Sequence, residues 1–215
     1  MNEQVKKKDK GRILLIDDQM SIHEDFRKVL THDQKVDEMA ELEQQFLGER
    51  QEVKVDVPEY QIDSAYQGQE GLEKVKTALA QKQPYMMAFV DMRMPPGWDG
   101  LTTIKHIWEI DKDIQVVICS AYSDYSWKEI VSVLGHSDRL LILKKPFDNI
   151  EIIQMANNLC EKWRLSGMAK LQVQDLEKLV QERTNKNLEM QKQVFHAAKL
   201  ASIGELAAGV ATARH

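Results

Sequence analysis

The chain reads as a doubly wound α/β domain, a parallel sheet covered by helices, followed by a long helical extension. Three observations predict this. Short apolar runs alternate with helix-length amphipathic segments through the first two-thirds of the 215 residues. Charged or hydroxyl residues stand at or just behind the ends of those runs. From about Trp163 onward proline is absent, glycine is rare and a heptad rhythm sets in.

The apolar runs are ILLI (13–16), YMMAFV (85–90), QVVIC (115–119) and LLIL (140–143). Each is too short for an ordinary helix and rich in branched or aromatic residues, so each is expected to be a strand buried on both faces. A weaker strand is expected at Gln61–Ala65. Between them lie Ile22–Leu30, Gln69–Leu79, Leu101–Ile110 and Ser126–Leu134, with Asn149–Trp163 after the last, all of helical length and pattern. Alternation at this spacing implies parallel strands joined by right-handed crossovers. Residues 31–60 break the rhythm by lengthening the first crossover. Within them Met39, Leu42 and Phe46 have helical spacing and Gly48 is a stop signal, so a helical insertion is expected, as surface decoration or a docking element.

Composition sets further bounds. Hydrophobic residues make up 43% and charged residues 29% of the chain, as in ordinary globular domains. The net charge of -5 argues against nucleic acid as a partner. The opening VKKKDKGR is read as a solvated basic leader (1–11). No apolar run is long enough to span a bilayer and no secretory signal is present, so a cytoplasmic location without membrane contact is expected. Cys119 and Cys160 lack metal-ligand spacing, and Cys119 reads as a small buried hydrophobe.

In the extension, alternating steps of four and three pick out Ala169, Val173, Leu176, Val180, Arg183, Asn187, Met190, Val194, Ala197 and Ala201. This is a heptad seam with a polar layer at Arg183 and Asn187, the pattern of a dimeric coiled coil whose register is set by buried polar residues. The competing reading is one amphipathic helix folded back on the α/β domain.

Asp17 and Asp18 follow the first strand, Asp91 ends the third, Ser120 ends the fourth and Lys145 follows the fifth. Open α/β sheets bind ligands beyond the carboxyl ends of their strands, so these residues should meet at one sheet edge. Three carboxylates crowded together call for a cation, and Mg²⁺ suits an all-oxygen set that also receives a phosphate oxygen. The segments LLIDDQ, AFVDMRMPPGWDG, VVICSAYS and LLILKKPF, in this order, resemble the receiver domains of response regulators over residues 12–160. The resemblance implies a flavodoxin-like strand order 2-1-3-4-5. It implies Asp91 as the phosphoacceptor, and Mg²⁺ held by Asp17, Asp18, Asp91 and the backbone carbonyl of Arg93. Ser120 would donate a hydrogen bond to the phosphoryl group and Lys145 would pair with its oxygens, next to a cis Lys145–Pro146 bond. The partner it implies is a cognate histidine kinase or phosphotransfer protein. Asp99 and Gly100 read as the turn into the next helix.

There are departures from the family pattern. The loop MRMPPGWDG is one residue longer than usual before Asp-Gly, and Ile142 stands where many receivers carry an aromatic switch residue. Arg93 and Tyr122 are bulky for positions flanking the phosphoryl group, and are read as shielding it from water. With Arg93 two residues after Asp91, the second aspartate of an aspartate-nucleophile phosphatase is missing. KLASIGELAAGVA (199–211) resembles the start of the dimerisation and phosphoacceptor helix of histidine kinases, yet Thr212 stands where the histidine belongs and His215 comes three residues late. The expected organisation is therefore a receiver (12–160), a coiled-coil linker (161–198) that makes a homodimer, and the beginning of a kinase helix (199–215). The whole reads as a phosphorelay signalling module. The alternatives are the front part of a hybrid histidine kinase whose ATP-binding domain is absent from this sequence, or a receiver controlling a cyclic-dinucleotide enzyme.

Overall fold

The computed structural model describes residues 11–31, 59–121 and 126–212, with side chains in the last helix described continuously as far as Phe195. Nearly all of the expected 31–60 insertion, the basic leader, Tyr122 and His215 lie outside the described residues. The chain divides into two compact units, Met1–Leu165 and Ser166–His215.

The first unit runs β1 (Gly11–Ile16), α1 (Met20–Leu30), β2 (Tyr60–Ala65), α2 (Gly68–Ala80), β3 (Met87–Asp91), α3 (Gly100–Ile110), β4 (Gln115–Ser120), α4 (Trp127–Leu134) and β5 (Leu140–Lys144), then enters α5 (Asn149–Thr212). The strands form one parallel sheet in the order β2-β1-β3-β4-β5, with register pairs such as Ile13↔Met87 and Asp91↔Cys119. This is the doubly wound, flavodoxin-like arrangement expected, and every expected strand and helix of this unit outside the insertion is present.

Each face of the sheet has its own core, because successive strand residues point to opposite sides. Leu14, Ile16, Ala88, Val90, Val116 and Ile118 face α2, α3 and α4, meeting Leu72, Val75, Ile104, Ile107 and Ile130. Ile13, Leu15, Met87, Phe89, Val117 and Cys119 face α1 and α5, meeting Phe26, Leu30, Ile152, Ala156 and Leu159. Phe26 sits edge-on to both Phe89 and Phe147, at centroid distances of 4.8 and 5.2 Å. Cys119 is buried in this core, and burial pushes its thiol pKa up, which fits a packing role.

One strand reading needs correction. β1, β3 and β4 are covered on both faces, but β5 is an edge strand and Leu141 is 38% exposed. A continuous apolar run does not reveal that one side of the strand lacks a neighbour. The last helix also differs from expectation at its boundary. Instead of ending near Trp163, α5 continues without a break from Asn149 to Thr212. No proline interrupts it, and Gly167 costs only about 1 kcal/mol of helix propensity, too little to end a helix of this length.

In the second unit, Val173, Leu176, Val180, Met190 and Val194 are all exposed, with Leu176 at 62% and Val194 at 69%. Among the described residues, no helix is long and apolar enough to cross a membrane.

Candidate functional site

The carboxyl ends of β1, β3 and β5 converge because these strands are parallel and β1 and β3 are neighbours. Asp17 and Asp18 leave β1, while Asp91 is the last residue of β3. One carboxylate oxygen from each of the three lies within 4.8 Å of the others. Asp17 and Asp91 are buried and Asp18 is half-buried. Lys145, directly after β5, reaches into this group with its Nζ 2.6 Å from Asp91 Oδ1 and 3.0 Å from Asp17 Oδ2. Burial alone would lower the ammonium pKa, but the hydrogen bonds to Asp91 and Asp17 outweigh it and hold the pKa above its ordinary value. The Lys145–Pro146 bond is cis.

Backbone groups fix the other carboxylate oxygens. Gln19 N donates to Asp17 Oδ1 at 2.9 Å and Arg93 N donates to Asp91 Oδ2 at 3.0 Å. Asp18 Oδ1, in contrast, is buried with no hydrogen-bond partner among the described residues. A buried carboxylate oxygen without a partner is costly unless a cation answers it. The donor set is all oxygen and carries three formal charges against one lysine, so the residues present fit a hard divalent cation such as Mg²⁺.

The site's loops are tied back to the sheet. Met92 N donates to the Cys119 carbonyl at 3.1 Å and Gly100 N to the Met92 carbonyl at 3.0 Å, which closes the β3–α3 loop around a cis Pro95–Pro96 bond. Asp99 caps α3 by accepting from Thr102 N at 2.8 Å, the structural role expected of it. A Cβ on Gly100 would lie 2.6 Å from the Asp91 carbonyl oxygen, so only glycine allows this approach. The longer loop is thus accommodated, with Met92 and Met94 buried.

Sequence reasoning placed Asp17, Asp18, Asp91 and Lys145 together, and the structure brings them together. Ser120 ends β4 beside them, where its backbone carbonyl accepts from Lys145 N at 2.9 Å while its hydroxyl donates to the Ala121 carbonyl at 3.0 Å. The Arg93 side chain is exposed. Residues that the sequence reading missed are His23, Ser64 and Arg27, which form a polar chain behind Asp17. The signal was available. His23, Phe26 and Leu30 share one helical face, and a histidine on a buried face needs polar partners.

Residues 55–157 match the family model of the response regulator receiver domain. No curated protein matches the chain. Among solved structures it is similar to an adenylate cyclase from Rhodopirellula baltica, at 20% identity and a TM-score of 0.56, over 76% of this chain and 96% of that one. It is also similar to a response regulator receiver protein from Sinorhizobium medicae WSM419, at 19% identity and a TM-score of 0.50, over 72% of this chain and 98% of that one. A receiver domain protein from Methanospirillum hungatei JF-1 is similar at 16% identity and a TM-score of 0.50, over 73% of this chain and 98% of that one. At such identities the likeness concerns the fold. Taken with the strand order, the match from residue 55 to residue 157 shows that the chain carries a response regulator receiver domain.

Proposed function

We propose that the receiver accepts a phosphoryl group on Asp91 from a histidine kinase or phosphotransfer protein, and reports it through a homodimeric coiled coil. The observation that carries the first half is the bridge from Lys145 to Asp91 and Asp17 inside a cluster of three carboxylates. In the transfer, an Asp91 carboxylate oxygen forms a bond to phosphorus as the bond from phosphorus to the donor's imidazole nitrogen breaks. The imidazole leaves with the electron pair. Lys145 then serves as a point charge for the phosphoryl oxygens, and Ser120 turns its hydroxyl from Ala121 to donate to one of them. Asp17, Asp18, Asp91 and the Arg93 carbonyl would hold Mg²⁺, which when bound supplies positive charge opposite the transferred group. Arg93 and Tyr122 limit the access of water.

The test uses Mg²⁺ and acetyl phosphate with intact-mass measurement. Wild type should gain one phosphoryl group and Asp91→Asn should gain none, because an amide cannot form the acyl phosphate. Equal labelling of both proteins overturns the assignment.

The exposed apolar residues of the seam support the second half, since a heptad stripe left bare on a long helix is stabilised by pairing with its own copy. KLASIGELAAGVA at 199–211 favours a second reading, in which this receiver precedes the catalytic part of a hybrid histidine kinase. A receiver that controls a cyclic-dinucleotide enzyme is the alternative. An ATP-binding domain encoded beyond residue 215 supports the kinase reading, and a cyclase domain there overturns it.

A further inference from the structure

His23 is 1% exposed, and both of its ring nitrogens are engaged. Nε2 lies 2.8 Å from the Asp17 backbone carbonyl oxygen and Nδ1 lies 2.7 Å from Ser64 Oγ. A carbonyl only accepts, so Nε2 carries the hydrogen and donates. Ser64 Oγ also accepts from Arg27 Nη2 at 2.7 Å. Assigned from this network, the ring is anchored at both nitrogens, with hydrogen on Nε2. The Tyr66 ring packs against the imidazole with centroids 4.6 Å apart.

The Asp17 carbonyl belongs to the same planar peptide as the Asp18 N–H. Holding that carbonyl therefore fixes the plane from which the Asp18 side chain departs. The rest of Asp17 is also held: its N–H donates to the Ala65 carbonyl at 3.1 Å, and its carboxylate takes Gln19 N and Lys145 Nζ. Asp18 has no comparable support, since its buried Oδ1 lacks a partner among the described residues. The direction of that carboxylate is set through its backbone.

We propose that His23 is a positioning residue for the acidic pocket, holding the Asp17–Asp18 peptide so that the Asp18 carboxylate faces Asp17 and Asp91, with Ser64 and Arg27 locking the ring. This rests on the reading of the pocket as a Mg²⁺ site. Outer-shell partners of this kind are commonly worth about 10-fold or more in metal affinity.

Mg²⁺ binding to the 215-residue chain is measured by titration calorimetry, beside thermal unfolding without metal. His23→Leu, which cannot donate, should bind about 10-fold more weakly. His23→Gln, whose amide nitrogen can donate near the Nε2 position, should recover most of that loss. Ser64→Ala leaves the imidazole in place but unlocked, and should fall between them; it keeps the test open if His23→Leu does not fold. Unchanged Mg²⁺ affinity in His23→Leu overturns the proposal, as does equal weakening in His23→Leu and His23→Gln, which would mark a packing role alone. If His23→Leu does not fold, unchanged affinity in Ser64→Ala overturns it. Failure of wild type to bind millimolar Mg²⁺ would instead sink the reading of the pocket itself.

Discussion

Lys145 is the counter-charge of the pocket, with its ammonium between Asp91 and Asp17. Removing one partner from a mostly buried ion pair leaves charge without compensation, so Lys145→Ala should cost roughly 3 kcal/mol in metal-free buffer. Because Mg²⁺ would replace the missing charge, its addition should raise the melting temperature of Lys145→Ala more than that of wild type. Equal shifts in the two proteins would count against a shared cation site. On β2, Asp63 accepts from Tyr85 Oη at 2.7 Å and pairs with Arg12. Burial would raise the Asp63 pKa, but the hydrogen bonds from Tyr85 and Arg12 and the Arg12 charge hold it below its ordinary value. A carboxyl whose folded pKa is depressed stabilises fully above its unfolded pKa of about 3.9 and loses that contribution as pH falls through the folded value. Urea midpoints recorded from about pH 5 downward should therefore fall less steeply in Asp63→Asn than in wild type.

Among the elements, the β3–α3 loop and α5 make the sharpest claims. Gly100 lies against the Asp91 carbonyl, so Gly100→Ala forces the loop or the strand end to move. Overpacking of this kind costs about 1–3 kcal/mol, and the displacement should also slow phosphorylation by acetyl phosphate. Normal stability with a normal rate in Gly100→Ala would show that the close approach is dispensable. Ile152, Ala156 and Leu159 recur at steps of four and three, which is why the first turns of α5 cover β1, β3 and β4. Ile152 is fully buried, and Ile152→Ala should lower unfolding free energy by about 2–4 kcal/mol in denaturant titrations. Farther along the same helix the apolar side chains are exposed. The helix that packs on the sheet at Ile152, Ala156 and Leu159 thus continues into residues such as Leu176 and Val180 whose apolar side chains are exposed.

For the molecule as a whole, the seam carries the prediction. The 215-residue chain should sediment as a dimer at micromolar concentration, and charges at two core positions, Leu176→Lys with Val180→Lys, should convert it to a monomer. A monomeric wild type would leave the extension as a passive tether. Phosphorylation is expected to change the packing of the proposed seam more than the oligomeric state, because a polar layer at Arg183 and Asn187 would weaken its middle. Cysteines placed at Val180 and Val194 should cross-link differently with and without a phosphoryl mimic.

Much of this protein was legible in its residues. Strand order aside, the alternation of apolar runs and amphipathic segments required a parallel α/β sheet, since no other layering buries both patterns. The positions of Asp91 and Lys145 at strand ends then required them to share one edge. What could not be read in advance depends on neighbours distant in sequence. The exposure of Leu141 follows from β5 having no strand beyond it. His23 shows the same limit most clearly. Its place on a buried helical face was visible, but its partners Ser64 and the Asp17 carbonyl lie on other segments of the chain. Helical periodicity reports which way a side chain faces, and only the packed sheet supplies what it meets there.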